Sequence, residues 1–293
     1  MDKPYLINAA ISYIKNSEDN YISAQIAISD RSARMKIFDD PIFAFGAVDD
    51  QYFTLMKDPS AIGEHFLPPQ DWLPQAKSVI SFFLPFSEAV RKGNRTDRVW
   101  PSEEWLHGRI EGQSLINKLC RHLQAQLRQA GYNSVVPSQD KRYWTKTEFN
   151  SNSSHPEASF TSNWSERHAA FVCGLGTFGL SKGLITEKGI SGRFGSIITE
   201  LYLSPDKRNY TELYEYCSMC GSCAKNCPVN AISIENGKDH LICSKFLDRT
   251  RLRYEPRYGC GKCQTGVPCE SGIPPKVVTG IPLRAQTGEL STS

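Results

Sequence analysis

Cys217-Ser-Met-Cys220-Gly-Ser-Cys223-Ala-Lys-Asn-Cys227-Pro228 spaces its cysteines as Cys-x2-Cys-x2-Cys-x3-Cys-Pro. In such a run three thiolates grip one [4Fe–4S] cube and the fourth serves a second. Two-residue gaps let consecutive sulfurs curl round one cubane, Gly221 permits the tight turn, and Pro228 redirects the chain. Four more cysteines follow at 243, 260, 263 and 269, giving the eight thiolates that two cubanes need. The expected partition is Cys217, Cys220, Cys223 and Cys269 for one cluster, and Cys227, Cys243, Cys260 and Cys263 for the other. Structural zinc also accepts Cys-x2-Cys pairs, but interleaved short gaps ending in Pro favour iron and sulfide. The second half departs from a simple ferredoxin pattern. Cys243 is isolated, five residues separate Cys263 from Cys269, and Glu270 stands where Pro is usual.

Around this segment the composition is that of an ordinary globular protein. The chain has 293 residues, 40% hydrophobic and 22% charged, with a formal charge of +3. That charge gives no footprint for nucleic acid, which normally requires a strongly basic face. No apolar stretch approaches the ~18 residues of a membrane span, and the N-terminus Met-Asp-Lys-Pro-Tyr lacks a secretory pattern, so the expected location is cytoplasmic, with no membrane association. Eight of the ten cysteines crowd between 217 and 269 while Cys120 and Cys173 stand alone. Crowding of this kind points to metal rather than disulfides.

Upstream, Leu6, Ala10, Tyr13 and Ile14 predict an N-terminal helix. Val79–Leu84, closed by Pro85, reads as a buried central strand. From Ser102 to Ala130, Leu106, Ile110, Ile116, Leu119, Leu123 and Leu127 mark the clearest helix, with Gly131 as its stop. The stretch 138–166 is polar and without periodicity, as functional loops often are. A helix over Glu166–Val172, a glycine-rich turn, a strand and a further strand over Ser196–Leu203 complete the body, with a boundary after Pro205. The expected domains are thus 1–205, an α/β (α+β) cofactor and substrate domain; 206–280, a ferredoxin-like module; and 281–293, a tail.

The glycines at 174, 176 and 179 spell Gly-x-Gly-x-x-Gly, the dinucleotide fingerprint. That fingerprint should follow a strand and open a helix, whereas here a helix precedes it.

Taken together, Glu166-Arg-His-Ala-Ala, Gly174-Leu-Gly-Thr-Phe-Gly, Gly183-Leu-Ile-Thr-Glu-Lys-Gly, Arg193-Phe-Gly-Ser-Ile-Ile-Thr and the cysteines resemble epoxyqueuosine reductases and reductive dehalogenases from about Ser165 to Pro274. The resemblance implies a nitroreductase-like domain that binds base-off corrinoid (cobalamin), with two [4Fe–4S] clusters delivering electrons to its cobalt. It matches Gly174, Leu175, Gly176, Thr177, Phe178 and Gly179 to the loop along the corrinoid, where missing side chains would let backbone amides approach, and Arg193 and Ser196 to the neighbouring strand. The family's proton-donating Asp falls at Phe160, and its C-terminal helical repeats have no counterpart. A Tyr with a basic neighbour donates the proton in dehalogenases; by proximity the candidates are Tyr143, Lys146, Arg167 and His168.

Two functions remain open on the sequence. One is a corrinoid-dependent iron–sulfur reductase of a small organic substrate, supplied by a ferredoxin or flavodoxin that could dock at Arg249, Arg251, Arg253 and Arg257. The other is an electron-transfer or cofactor-handling protein without substrate chemistry of its own.

Overall fold

The computed structural model describes residues 1–146 and 161–276. Phe160, the Ser/Asn patch at 150–154 and the tail 281–293 lie outside the described residues.

The body is built on a sheet whose middle strand was the most legible. In chain order its elements are α1 (Lys3–Asn16), β1 (Ile42–Ala47), α2 (Gln51–Leu55), α3 (Pro69–Trp72), β2 (Ser78–Pro85), α4 (Glu88–Gly93), α5 (Glu103–Gln129), β3 (Ser134–Val135), β4 (Thr145–Lys146) and β5 (Thr161–Ser162). There follow α6 (Glu166–Cys173), β6 (Gly176–Phe178), β7 (Leu184–Thr186) and β8 (Gly192–Thr199). The main sheet runs β1-β2-β8-β3 with every neighbouring pair antiparallel. β2 is buried along its whole length, as a strand covered on both faces must be.

Strand alternation sorts the core into two layers. Ile80, Phe82, Leu84 and Ile197 face α1 and α5, which contribute Leu6, Ile14, Leu115, Leu119, Cys120 and Leu123. Val79, Phe83 and Ile198 face the opposite way, onto α6 and a cluster holding Trp72, Trp164 and Cys173. Helix α5 is capped at its start by Ser102, whose side chain accepts from the Trp105 amide, and stops where Gly131 takes a positive φ of 86°. The architecture is the expected mixed α/β, of α+β type.

Three boundaries differ from expectation. The last strand begins at Gly192 rather than Ser196 and stops at Thr199, because its ladder is set by β2, from Pro85 opposite Gly192 to Ser78 opposite Thr199. Leu201 and Leu203 remain buried but off the sheet, Leu203 held by its amide on Ser78 Oγ at 2.8 Å. The glycine stretch is not a bare turn; it carries β6, which pairs with β7. Finally, residues 206–216 pack on the body. Asp206 accepts from the Phe45 amide and pairs with Lys3, Arg208 pairs with Asp50, and the Tyr210 hydroxyl donates to the Phe171 carbonyl. The physical break therefore falls near Cys217.

Beyond it lie α7 (Ser222–Lys225), the ribbon β9 (Ile232–Ser233) and β10 (Gly237–Lys238), and α8 (His240–Tyr254). None of the described helices is long and apolar enough to cross a membrane.

Candidate metal centre

The eight cysteines fold into two groups of four. Cys217, Cys220, Cys223 and Cys269 line one cavity together with Leu180, Ile185, Ile190 and Val267. Ile185, Ile190 and Val267 form a small apolar core of their own against these sulfurs, a shell of the kind that controls solvent access to a cluster. The second group is seen through its electrostatics: Cys260 feels Cys263 and Cys243, and Cys263 feels Cys243 and Cys227. Cys223 of the first group feels Cys263 of the second, so the two groups are neighbours.

Several turns that present the sulfurs need unusual backbone. Met219, Gly221, Asn230 and Gly261 all have positive φ. Burial pushes the Cys223, Cys260 and Cys269 thiols up to about 12, a state that only a cationic core among the sulfurs would reverse. One amide already points at a sulfur, Ala231 N donating to Cys227 Sγ at 3.1 Å. Among the described residues no three Cys, His, Asp or Glu side chains converge tightly enough for a single ion, whereas four sulfurs around one cavity suit a polynuclear cube. Cys120 and Cys173 stand apart in the body core.

The module is stitched to the body by residues that no motif announces. Asn94, fully buried after α4, donates through Nδ2 to the Cys260 carbonyl at 3.0 Å and to Thr265 Oγ1 at 3.2 Å. Its carbonyl accepts from Lys262 Nζ at 2.7 Å, and its Oδ1 from the Ser102 amide at 3.1 Å. The Ile190 amide donates to the Cys269 carbonyl at 2.9 Å, and Ser191 Oγ to the Gln264 carbonyl at 2.9 Å. Glu270, in place of the usual Pro, is buried and forms a forked ion pair with Arg95 while accepting from the Gly266 amide at 2.5 Å. Gly261 lies flat on Trp105: a Cβ there would stand 2.0 Å from the indole.

Where the second cysteine group meets the body, charged side chains gather. Burial lowers the Arg167 guanidinium, Cys263 acts against that, and Arg109 adds to it; yet Arg167 is solvent-exposed. Burial brings Arg193 down to about 9, with Arg109 and Arg167 pushing the same way. Arg193 is steered by Gln113, whose Oε1 accepts from Nε at 2.9 Å. Arg109 stacks over Tyr258 at 4.3 Å, with Arg251 also over that ring at 4.5 Å. Burial works against ionisation of Tyr258, but Arg109 and Arg251 outweigh it and hold the phenol below its usual value.

The other candidates fall less favourably. Burial, reinforced by Arg167, takes His168 down to about 4, and its Nδ1 is engaged by Ser165 Oγ at 2.7 Å. Its ring is a neutral group packed 4.9 Å from Phe178. Tyr143 is half-buried, and burial, then Glu166, raise its phenol. The charged group that acts on it among the described residues is thus an acid. Lys146 pairs with Thr161 across the β4–β5 ribbon.

The glycine segment also has another rationale than the one expected. Gly174 ends α6 at φ 107°, and a Cβ on Gly176 would lie 1.9 Å from the Ile185 carbonyl oxygen. Its amides are spent internally: Gly174 and Leu175 on the Ala170 carbonyl, Phe178 on Leu213 and Gly179 on Gly183. Thr177 Oγ1 accepts from the Tyr216 amide at 2.8 Å. Ser196 Oγ accepts from Trp164 Nε1 at 3.0 Å inside the core. Arg109, Tyr258, Asn94 and Glu270 were missed by sequence reasoning; the only available signals were a basic residue on the polar side of a long helix and a tyrosine two places before a cysteine.

One more group stands out. Both carboxyl oxygens of Glu166 are buried without a well-formed hydrogen bond. Burial raises this acid to about 7, Ser196, Ser138 and Trp164 offsetting the shift only in part.

Fold and cysteine geometry together define an iron–sulfur protein, with a cysteine-rich module docked on an α/β body. The model of the 4Fe-4S binding domain family matches residues 211–233. Tetrachloroethene reductive dehalogenase of Desulfitobacterium hafniense is 42% identical over 67 residues, which are 22% of this chain and 12% of that protein. Trichloroethene reductive dehalogenase of Dehalococcoides mccartyi is 31% identical over 102 residues, 33% of this chain and 18% of the relative. Each of these relatives is matched over less than a fifth of its length. Among solved structures, a selenomethionine-labelled epoxyqueuosine reductase superposes with a TM-score of 0.50 at 19% identity, covering 92% of this chain and 67% of the other. A catabolic reductive dehalogenase in complex with 3-bromo-4-hydroxybenzoic acid gives 0.51 at 15% identity, covering 92% and 36%. The expected resemblance to both groups of reductases is therefore present, in local sequence for the dehalogenases and in overall fold for both.

Proposed function

We propose that this protein is an iron–sulfur oxidoreductase that passes electrons through two [4Fe–4S] clusters to a corrinoid, at which a small organic substrate is reduced. The observation that carries the reading is the gathering of eight cysteines beside the body, where Cys263 and Cys243 of the second group act on Arg167 of α6. Cys220 of the first group is exposed, which suits electron transfer from a ferredoxin or flavodoxin. The surroundings suit a polar ligand: Arg109 Nε is buried without a hydrogen-bond partner, and Arg109 and Arg167 both act on Arg193.

A corrinoid bound there would supply low-valent cobalt as the reductant. Arg167 and Arg193 would hold its polar periphery, and the β6–β7 hairpin would serve as a wall rather than as a source of amides. The residues do the remaining work by position. His168, neutral and tied to Ser165, shapes the wall. Tyr258, between Arg109 and Arg251, and Glu166, held protonated by burial in part of the population at neutral pH, are the groups here with a proton to give. Ile185, Ile190 and Val267 keep water from the first cysteine group. Cytoplasmic residence fits so many free thiols.

The engaged amides of the glycine hairpin favour a second reading, an electron-transfer or cofactor-handling protein with no bound corrinoid. Visible spectra of anaerobically purified protein, before and after cobalamin is added, separate the two. Uptake of cobalamin with a changed corrinoid spectrum is the expected result; failure to bind any cobalamin removes the corrinoid reading and leaves the second.

A further inference from the structure

Helix α8 and the loop between α4 and α5 meet over Trp100. Its ring stacks on Phe246 at 5.6 Å and meets Tyr254 edge-on at 6.2 Å. Arg253 sits over the same ring at 4.4 Å and Arg249 at 5.7 Å. Aromatic faces thus hold both guanidinium groups in place while leaving their forked donors unspent. The other two arginines of this region are engaged elsewhere. Arg257 pairs with Glu111 and donates to the Ile26 carbonyl, and Arg251 lies by Asp248 at 3.7 Å and over Tyr258. Among the described residues neither Arg249 nor Arg253 pairs with a carboxylate. Asp97, the acid of the loop, accepts from the Val99 and Trp100 amides at 2.6 and 2.7 Å.

Lys245, Arg249 and Leu252 recur along α8 at helical spacing, and Leu252 is 85% exposed. An apolar centre rimmed by fixed cations is the make-up of an interface for a negatively charged protein. The face also belongs to the metal module. Phe246 is one helical turn beyond Cys243, and Asn94, where the loop begins, holds the Cys260 carbonyl. Trp100 is already covered by Phe246 and two guanidinium groups, which disfavours single-stranded nucleic acid, whose bases need open rings. We infer that the α8 face carrying Arg249, Leu252 and Arg253, with the Trp100 loop, is the docking surface for a small acidic electron-carrier protein. The inference rests on the iron–sulfur part of the proposed function and not on the corrinoid. It places electron entry beside Cys243; the exposed Cys220, with Ile234 against Gly221, marks the competing side.

The probes are a bacterial flavodoxin and a plant-type ferredoxin. Anaerobic calorimetry of cluster-loaded protein with each oxidised carrier should show saturable binding of at least one, weakened about 10-fold by Arg249→Gln with Arg253→Gln and weakened again by salt. The paired Arg→Lys changes keep the charge and should bind nearly as well, as should Arg128→Gln at the far end of α5. In stopped flow the reduced carrier passes one electron per encounter, oxidised by one as a cluster is reduced by one, and bleaches the cluster absorption. That bleaching should be about 10-fold slower in the Gln pair, whereas reduced methyl viologen, too small to need the surface, should act at the natural rate. No saturable binding, or equal binding in the Gln pair, overturns the inference. So does a greater loss from Ile234→Glu than from the Gln pair, which would put the carrier at Cys220. Loss of single-stranded RNA binding in the Gln pair with carrier binding intact would give the face to nucleic acid and overturn it too. Material without cluster absorption would remove the iron–sulfur reading itself, whereas coloured protein reduced equally well in every variant removes only the surface.

Discussion

Replacing Glu166 by Gln should remove a pH dependence from the stability of the fold. The acid lies at the start of α6 with both oxygens buried and without a well-formed hydrogen bond, and burial, only partly offset by Ser196, Ser138 and Trp164, raises it from 4.5 to about 7. Between those values the folded chain keeps a proton that the unfolded chain releases, so stability falls as pH rises through the window and levels off above it. At about 1.4 kcal/mol for each tenfold change in proton affinity, the separation corresponds to about 3 kcal/mol. Glutamine is the same size and never ionises. Anaerobic urea unfolding of both proteins from about pH 5 to about pH 8.5 reads the difference directly, because other titrations are shared and cancel. Relative to the variant, the natural protein should lose up to about 3 kcal/mol, nearly all of it by about pH 8. Parallel pH profiles would refute the placement of a poorly solvated acid in the core.

Iron and acid-labile sulfide should each come to about eight per chain, and Cys269→Ser should lower both towards about four while leaving the second cluster; undiminished content would remove Cys269 as a ligand. Cys173→Ala should leave iron unchanged, because this thiol packs against Gly46 in the body core. Gly261→Ala forces a methyl into Trp105 and a side chain into positive φ, a combined cost of about 2–4 kcal/mol; chelator challenge should strip iron from the second cluster first, and wild-type rates would contradict the docking described. Glu270→Ala leaves Arg95 unpaired and the Gly266 amide without its acceptor, and should speed iron loss from the first cluster in the same assay.

Local signals were enough for the parts of the molecule that obey local rules. The run from Cys217 to Pro228 announces its own geometry, and the 4Fe-4S binding domain model matches across it, over residues 211–233. β2 and α5 were legible because their periodicity is that of a central strand and a half-buried helix. The span of β8 was not, since its limits are imposed by the length of β2 rather than by its own residues. The environment of His168 was hidden for a related reason: its intrinsic acidity is local, but the burial and the Arg167 charge that lower it are products of tertiary structure. The glycines were read as making room for a ligand, whereas Gly176 makes room for the Ile185 carbonyl across a two-stranded ribbon. Asn94 and Glu270 carry no motif because their partners lie 166 and 175 residues away.

Asn94 has a consequence for how the protein matures. The same side chain that holds the Cys260 carbonyl also holds the Ser102 amide, and Ser102 caps the 27-residue helix α5. Loading of inorganic cofactor is thereby linked to the integrity of the described chain's 27-residue helix: whatever loosens the Cys260 loop also acts, through Asn94, on the first turn that carries Trp105 and Arg109. One asparagine thus ties the order of the second cysteine loop to the start of the helix that carries Trp105 and Arg109.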